Sequence, residues 1–424
     1  MKCLLAVIYL CLISPSYGLS EKILNDKYGK VVYVNILFRH GDRTPTETYP
    51  KDPYRNISFW PVDWGQLTNL GKLHHYQLGQ WFRRRYNHLF PEDKFDHKTI
   101  FVRSTDVDRT LMSAAANAAG MYPLGPDDHW YNINWQPIPI HSTPESLDKI
   151  LAMKAPCKKY DFIFEKFKHS KSMKEINSKY KPIFDYVARN TGSKIKDPYD
   201  IENIYSTLHI ESLANFTLPE WTKKVFPDML KEITGIAFAV PTYITKLKRL
   251  KGGPLMKEML NNMHDKLNVK DPLARNISVY SGHDITLAYL LNTLGVFNFL
   301  PPPFTSSVMV ELRKTANQSL VTIFYKNLTG DVEPYLLTVP GCDEACPLDK
   351  LTQLMQPLIP VDWDTECHEH TAFDLSLDQP YNGLAIFAIV TTTMIVFLLL
   401  AITSIYWHNQ NPSHVYKKLR VETL

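Results

Sequence analysis

The sequence has no region of concentrated charge. Its formal net charge is +4 over 424 residues, and its 47 lysines and arginines are scattered rather than gathered in an aromatic-interleaved stripe. That pattern excludes the electrostatic footprint of a nucleic-acid partner. Internal repeats and low-complexity runs are also missing, which excludes a fibrous repeat or extended disorder. Cysteine is scarce: of six, Cys3 and Cys11 fall in the apolar N-terminal stretch, leaving Cys157, Cys342, Cys346 and Cys367. The most telling absence is local, for residues 384–407 contain no charged side chain at all.

At 1.5 Å per helical residue that uncharged run reaches about 36 Å, enough to cross a bilayer with some tilt. Tyr406 and Trp407 close it as interfacial aromatics, and Lys417, Lys418 and Arg420 in the tail 408–424 mark that side as cytoplasmic. A glycolipid-anchor signal would end in the apolar run, without such a tail. At the other end, Lys2, the apolar run Cys3 to Ile13 and the small residues Ser16 and Gly18 read as a secretory signal over residues 1–18. A type I single-pass membrane protein is expected, with residues 19–383 luminal or extracellular. Five Asn-X-Ser/Thr sites, at Asn56, Asn215, Asn276, Asn317 and Asn327, all lie on that side and fit glycosylation. In an oxidising compartment the four remaining cysteines suit two disulfides better than a metal site. The short spacing favours Cys342 with Cys346, leaving Cys157 with Cys367, although four cysteines permit three connectivities.

Residues 31–38 (VVYVNILF) read as a buried strand, followed by a loop with Gly41 and Pro45. Leu70, Leu73, Gln77, Leu78, Trp81 and Phe82 recur at helical spacing, with Arg83, Arg84 and Arg85 at the outer end. Residues 98–104 (KTIFVRS) form a second strand entering TDVDRTLMSAAANAAG, where Thr105 and Asp108 have capping-box spacing before a helix stopping at Gly120. Strand followed by helix, repeated, argues for an α/β sheet. Residues of about 124–245 are Lys- and Pro-rich with few strand signals and read as a mainly helical insertion or cap. Strand signals return in NISVYSGHD, SSVMVELRK and SLVTIFYKN. Three strands thus end in polar clusters: Arg39 to Arg43, Arg103, and His283 with Asp284. In open α/β sheets ligands bind beyond the carboxyl ends of strands, so these loops are expected to converge.

Arginines do not lose their protons, so Arg39, Arg43 and Arg103 brought together repel unless an anion sits among them. A phosphate dianion accepts the forked hydrogen bonds that guanidinium offers, and its charge is what phosphoryl transfer asks a site to stabilise. His40 stands between two of these arginines, whose charge favours a neutral ring able to attack phosphorus. Asp284 is placed to protonate the departing alkoxide and later to activate water, and His283 to add a donor to the phosphoryl oxygens.

The segments RHGDRTP, RSTDVDRTLMSA and SGHD resemble the three signature segments of the animal histidine acid phosphatases, the lysosomal and prostatic group, over about residue 31 to Cys367. The first is shared with phytases and inositol polyphosphate phosphatases; the second is more specific. The resemblance implies a histidine-phosphatase (phosphoglycerate mutase-like) sheet flanked by helices, a helical cap, no metal or other cofactor, two disulfides of the kind given above, and often a homodimer. It implies His40 as nucleophile, Asp284 as proton donor, and Arg39, Arg43, Arg103 and His283 as phosphate ligands. It also implies a third disulfide that this chain lacks, since Ser307 stands where one half is expected.

Other polar features have plainer readings. Asp106 and Asp108 fit helix capping as well as catalysis. His74 and His75 fit packing or solvation, and Cys367 of the CHEH tract is wanted for a disulfide rather than a metal. YKKL at 416–419 resembles a tyrosine-based sorting signal read by an adaptor, against an ordinary basic tail. The expectation is a lysosomal or cell-surface acid phosphatase acting on small phosphate monoesters. The alternatives are a phytase-like inositol polyphosphate phosphatase and a non-catalytic receptor-type ectodomain on the same fold.

Overall fold

The apolar run at residues 31–38 is buried on both sides because its strand lies inside the sheet. Tyr33 and Leu37 join one hydrophobic layer, while Val34, Ile36 and Phe38 join the other, as the two-residue period of a strand requires. The computed structural model describes residues 21–368 apart from 91–94, 125–132, 134, 269–274, 328–329 and 331. The leader at 1–18 and the uncharged run at 384–407 lie outside the described residues; among the described residues no helix is long and apolar enough to cross a membrane.

The strands are β1 (Lys30–Arg39), β2 (Ile100–Thr105), β3 (His141–Thr143), β4 (Ile277–Gly282), β5 (Ser307–Lys314), β6 (Ser319–Lys326), β7 (Tyr335–Leu337) and β8 (Cys346–Pro347). The sheet order is β3-β2-β4-β1-β5-β6-β7, with β8 on β6. Strands β3, β2, β4 and β1 run parallel, and β5 to β8 add antiparallel pairings. The carboxyl ends of β1, β2 and β4 therefore open on one edge.

The helices are α1 (Glu21–Tyr28), α2 (Asn69–Arg85), α3 (Asp108–Met121), α4 (Lys158–Lys168), α5 (Lys171–Thr191), α6 (Pro198–Leu213), α7 (Asp228–Ala239), α8 (Thr245–Lys251), α9 (Gly253–Leu267), α10 (Asp284–Thr293), α11 (Leu348–Met355) and α12 (Trp363–His368). Trp81 and Phe82 of α2 and Ala114 of α3 cover one sheet face, while Met259 of α9 and Leu287 of α10 cover the other. Helices α5, α6 and α7 have their own core around Phe184, Val187, Ile201, Leu208 and Ile233. Between β3 and β4 the chain is helical from α4 to α9; α5, α6 and α7 form the separately cored cap, while α9 returns to the sheet. Within the expected bounds, His141–Thr143 instead joins the sheet as an edge strand beside β2; three polar residues carry no periodic signal.

Cys157 bonds Cys367, and Cys342 bonds Cys346. The capping box expected from Thr105 and Asp108 does not form. The N-cap of α3 is Val107, and the Thr105 hydroxyl turns to Thr110 and His283 instead.

Candidate active site

The loop after β1 owes its path to two glycines. A Cβ on Gly41 would lie 2.5 Å from the Gly71 carbonyl oxygen, and one on Gly71 would lie 2.4 Å from that of Asp42. Only hydrogen at both positions lets the loop seat on the first turn of α2. His75 of α2, buried, donates Nε2–H to the Arg39 carbonyl at 3.0 Å, and His74 Nδ1 lies 2.7 Å from an Asp42 carboxylate oxygen. Both histidines thus hold the loop from behind.

The His40 ring is 2 % exposed. Its Nδ1 lies 2.9 Å from the Gly41 carbonyl oxygen, which can only accept, so the proton sits on Nδ1 and Nε2 keeps its lone pair. Burial first, then the charges of Arg39, Arg109, His283 and Arg43, hold the imidazole's pKa well below its ordinary value. His283, at the N-terminus of α10, stands edge-on to His40 with the ring centroids 5.6 Å apart and its Nε2 3.1 Å from Thr105 Oγ1. Burial and then Arg109 lower His283 to about 3.

Arg39 donates Nη2 to Asp284 Oδ2 at 2.7 Å and Nη1 to the Pro302 carbonyl at 2.6 Å, and its guanidinium lies 4.0 Å over the Phe304 ring. Burial opposes the charge on Asp284, but Arg39 and Arg43 outweigh it and hold the carboxyl below its usual range. Arg43 donates to the Thr44 carbonyl at 3.0 Å and to Ser206 Oγ at 3.3 Å. Burial, Arg39 and Arg109 lower it to about 9. Burial lowers Arg109 as well, with Arg39 contributing in the same sense against Asp284. The Nε atoms of Arg39, Arg43 and Arg109 are buried without a hydrogen-bond partner among the described residues. Three cations thus crowd a neutral imidazole with donors to spare, the setting in which an anion binds best.

The structure brings together Arg39, His40, Arg43, His283 and Asp284, but not Arg103. That guanidinium is taken up by Asp148 at 3.4 Å, Glu258 at 3.3 Å and Thr143 at 3.2 Å. The cause is strand parity. Ile100 and Val102 face the layer under α2 and α3, so Arg103 projects to the opposite face, toward Glu258 of α9. Arg109, six residues on in the first turn of α3, supplies the third guanidinium. The same motif carried both arginines; only the strand-to-helix switch at residue 106 decides between them. Phe304 and the α6 residues around the site gave no local sequence signal.

Asn276 Nδ2 donates to the Leu89 carbonyl at 2.7 Å and its Oδ1 accepts from Lys266 at 2.7 Å, and the residue is half-buried. Asn56, Asn215 and Asn317 are exposed and Asn327 is half-buried.

Residues 30–325 match the family described as Histidine phosphatase superfamily (branch 2), and the chain belongs to that family. The prostatic acid phosphatase of Rattus norvegicus is 40% identical over 342 residues, 79% of this chain and 88% of that protein. The lysosomal acid phosphatase of Xenopus laevis is 37% identical over 374 residues, 87% of this chain and 85% of that protein. Among solved structures, the Hafnia alvei phytase in complex with tartrate superposes with a TM-score of 0.60 at 16% identity, over 80% of this chain and 99% of that one. At that identity the likeness concerns the fold alone.

Proposed function

We propose that this chain hydrolyses phosphate monoesters through a phosphohistidine on His40. The chain is an acid phosphatase, a phosphoric monoester hydrolase, as its family and its relatives over most of both chains indicate. The observation that carries the mechanism is a buried, neutral His40 with a free Nε2 among three guanidinium groups. Arg39, Arg43 and Arg109 bind the phosphoryl oxygens, with Arg109 in the role first expected of Arg103, and His283 lies beside them. Nε2 attacks phosphorus as the P–O bond to the alcohol breaks, and a proton passes to the departing oxygen by way of Asp284. Water, giving its proton to Asp284, then cleaves the N–P bond and releases inorganic phosphate.

We place the catalytic region in a lysosomal or extracellular space on a type I chain, with the uncharged run 384–407 as its anchor. Its glycans are assigned to Asn56, Asn215, Asn276, Asn317 and Asn327, and a homodimer and an adaptor at Tyr416 belong to the same reading. Phytate hydrolysis is the weaker reading, since the phytase likeness is one of fold. Mixing enzyme with labelled aryl phosphate and quenching in alkaline denaturant, which preserves a phosphoramidate bond, should label the peptide containing His40. His40→Ala should abolish both label and turnover. Turnover surviving in that variant refutes the mechanism.

A further inference from the structure

Helix α6 forms the cap-side wall of the phosphate pocket. Ile201, Ile204, Tyr205 and Leu208 are buried in the cap core, whereas Glu202, Ser206 and His209 are only partly covered. These three stand at i, i+4 and i+7, one face of the helix. Ser206 accepts from Arg43 at 3.3 Å, and His209 stacks 6.5 Å from Phe304, the ring beneath Arg39. Glu202 lies on the same stripe, one turn before Ser206, near enough to Arg39, Arg43 and Asp284 for their charges to act on its carboxyl. No lysine or arginine lies on α6 to neutralise it.

We propose that Glu202 is a positioning residue of the phosphoryl site: protonated, it tolerates a bound phosphate anion, and ionised, it opposes that anion and closes the site to substrate at rising pH. The proposal rests on the phosphatase reading above and extends it to a residue outside the catalytic motifs. The ionisable groups that act on Glu202 are Asp284 from α10, Arg39 from the end of β1, and Arg43 and Glu47 from the loop after it. Tyr199 on α6 and Tyr289 on α10 feel its charge in turn. Burial and then Asp284 push the Glu202 carboxyl up to about 7, against the opposing pull of Arg39 and Arg43. Asp284 is held low by the same two arginines. Two carboxyls driven apart in this way divide the labour: one stays ionised on the arginines, the other keeps a proton through the acid range.

The dissociation constant of inorganic phosphate, read by calorimetry on the full chain and on Glu202→Gln between about pH 5 and about pH 8, tests this. Phosphate's own second ionisation affects both proteins alike, so the ratio of the two constants isolates Glu202. The wild-type to variant ratio should climb about tenfold toward alkaline pH, the effect of one nearby charge partly screened by the arginines. KM for an aryl phosphate should follow the same ratio while kcat does not. Glu202→Ala should reproduce the alkaline gain if loss of charge is the cause. A flat ratio with either variant overturns the proposal. Repeating the calorimetry in the His40→Ala background separates it from the mechanism, because phosphate binding there needs no turnover.

Discussion

Two arginines six residues apart should fail in opposite ways when removed. Arg103 is 15% exposed in its side chain and serves Asp148, which is fully buried, and Glu258. Asp148 in turn accepts from the backbone N–H groups of Ile150, Leu151 and Ala152, and the Leu151 carbonyl accepts from Thr286 in α10. Arg103→Ala leaves two carboxylates facing each other at low dielectric, a loss of about 3–5 kcal/mol for a fully buried pair. Partial exposure of Glu258 places the value near the lower end, which for a domain of this size lowers Tm by roughly 4 °C. Arg109→Ala removes one of three mutually repelling cations, so Tm should hold or rise. It deletes a donor aimed at the phosphoryl group, a loss of about 10²–10³ in kcat/KM. Differential scanning calorimetry beside steady-state kinetics on an aryl phosphate separates the two. Arg103→Ala losing catalysis at unchanged Tm, with Arg109→Ala still active, would refute the assignment.

Two further outcomes follow from the charged groups. Asp284→Asn should slow hydrolysis of an alkyl phosphate by about 10²–10⁴ and of a nitrophenyl ester far less, since only the poor leaving group needs a proton; equal losses on both in single-turnover kinetics would count against the role. Glu211 of α6 and Asp52 of the β1 loop form a buried acid pair in which burial and then Asp52 push Glu211 up to about 9. A folded-state pKa above the unfolded value gives stability that is complete at low pH and lost as pH rises toward about 9. Wild-type Tm should therefore fall between about pH 5 and about pH 8, and Glu211→Gln should flatten that slope; an unchanged slope in thermal melts would show that the pair carries no proton into the fold.

Most of the fold was legible because its strands follow the simplest pattern. Residues 31–38 are apolar on both faces and end in the site, and the RHG tripeptide needs its glycine where the loop meets Gly71. Legibility failed where two periodicities meet. In RSTDVDRTL the strand's two-residue alternation sends Arg103 away from the pocket, and the helical turn after it brings Arg109 in. The α6 contribution was unreadable for a different reason: Glu202, Ser206 and His209 reach the site through the packing of the cap, which depends on contacts far apart in sequence.

The electrostatics also explain why such a site would favour acid without titrating its histidines. His40 and His283 are both held far below ordinary values, so neither gains a proton over the working range. Asp284 is already ionised in the free pocket through Arg39 and Arg43. The proton for the leaving oxygen must then arrive with the substrate, whose second ionisation lies near pH 6 for phosphate monoesters, about where the monoanion gives way to the dianion. A bound phosphoryl group offsets the arginine charge that depressed Asp284, so the carboxyl can take that proton and pass it on. Acid pH thus acts by supplying a protonated substrate and by keeping Glu202 neutral, while the nucleophile remains a neutral imidazole throughout.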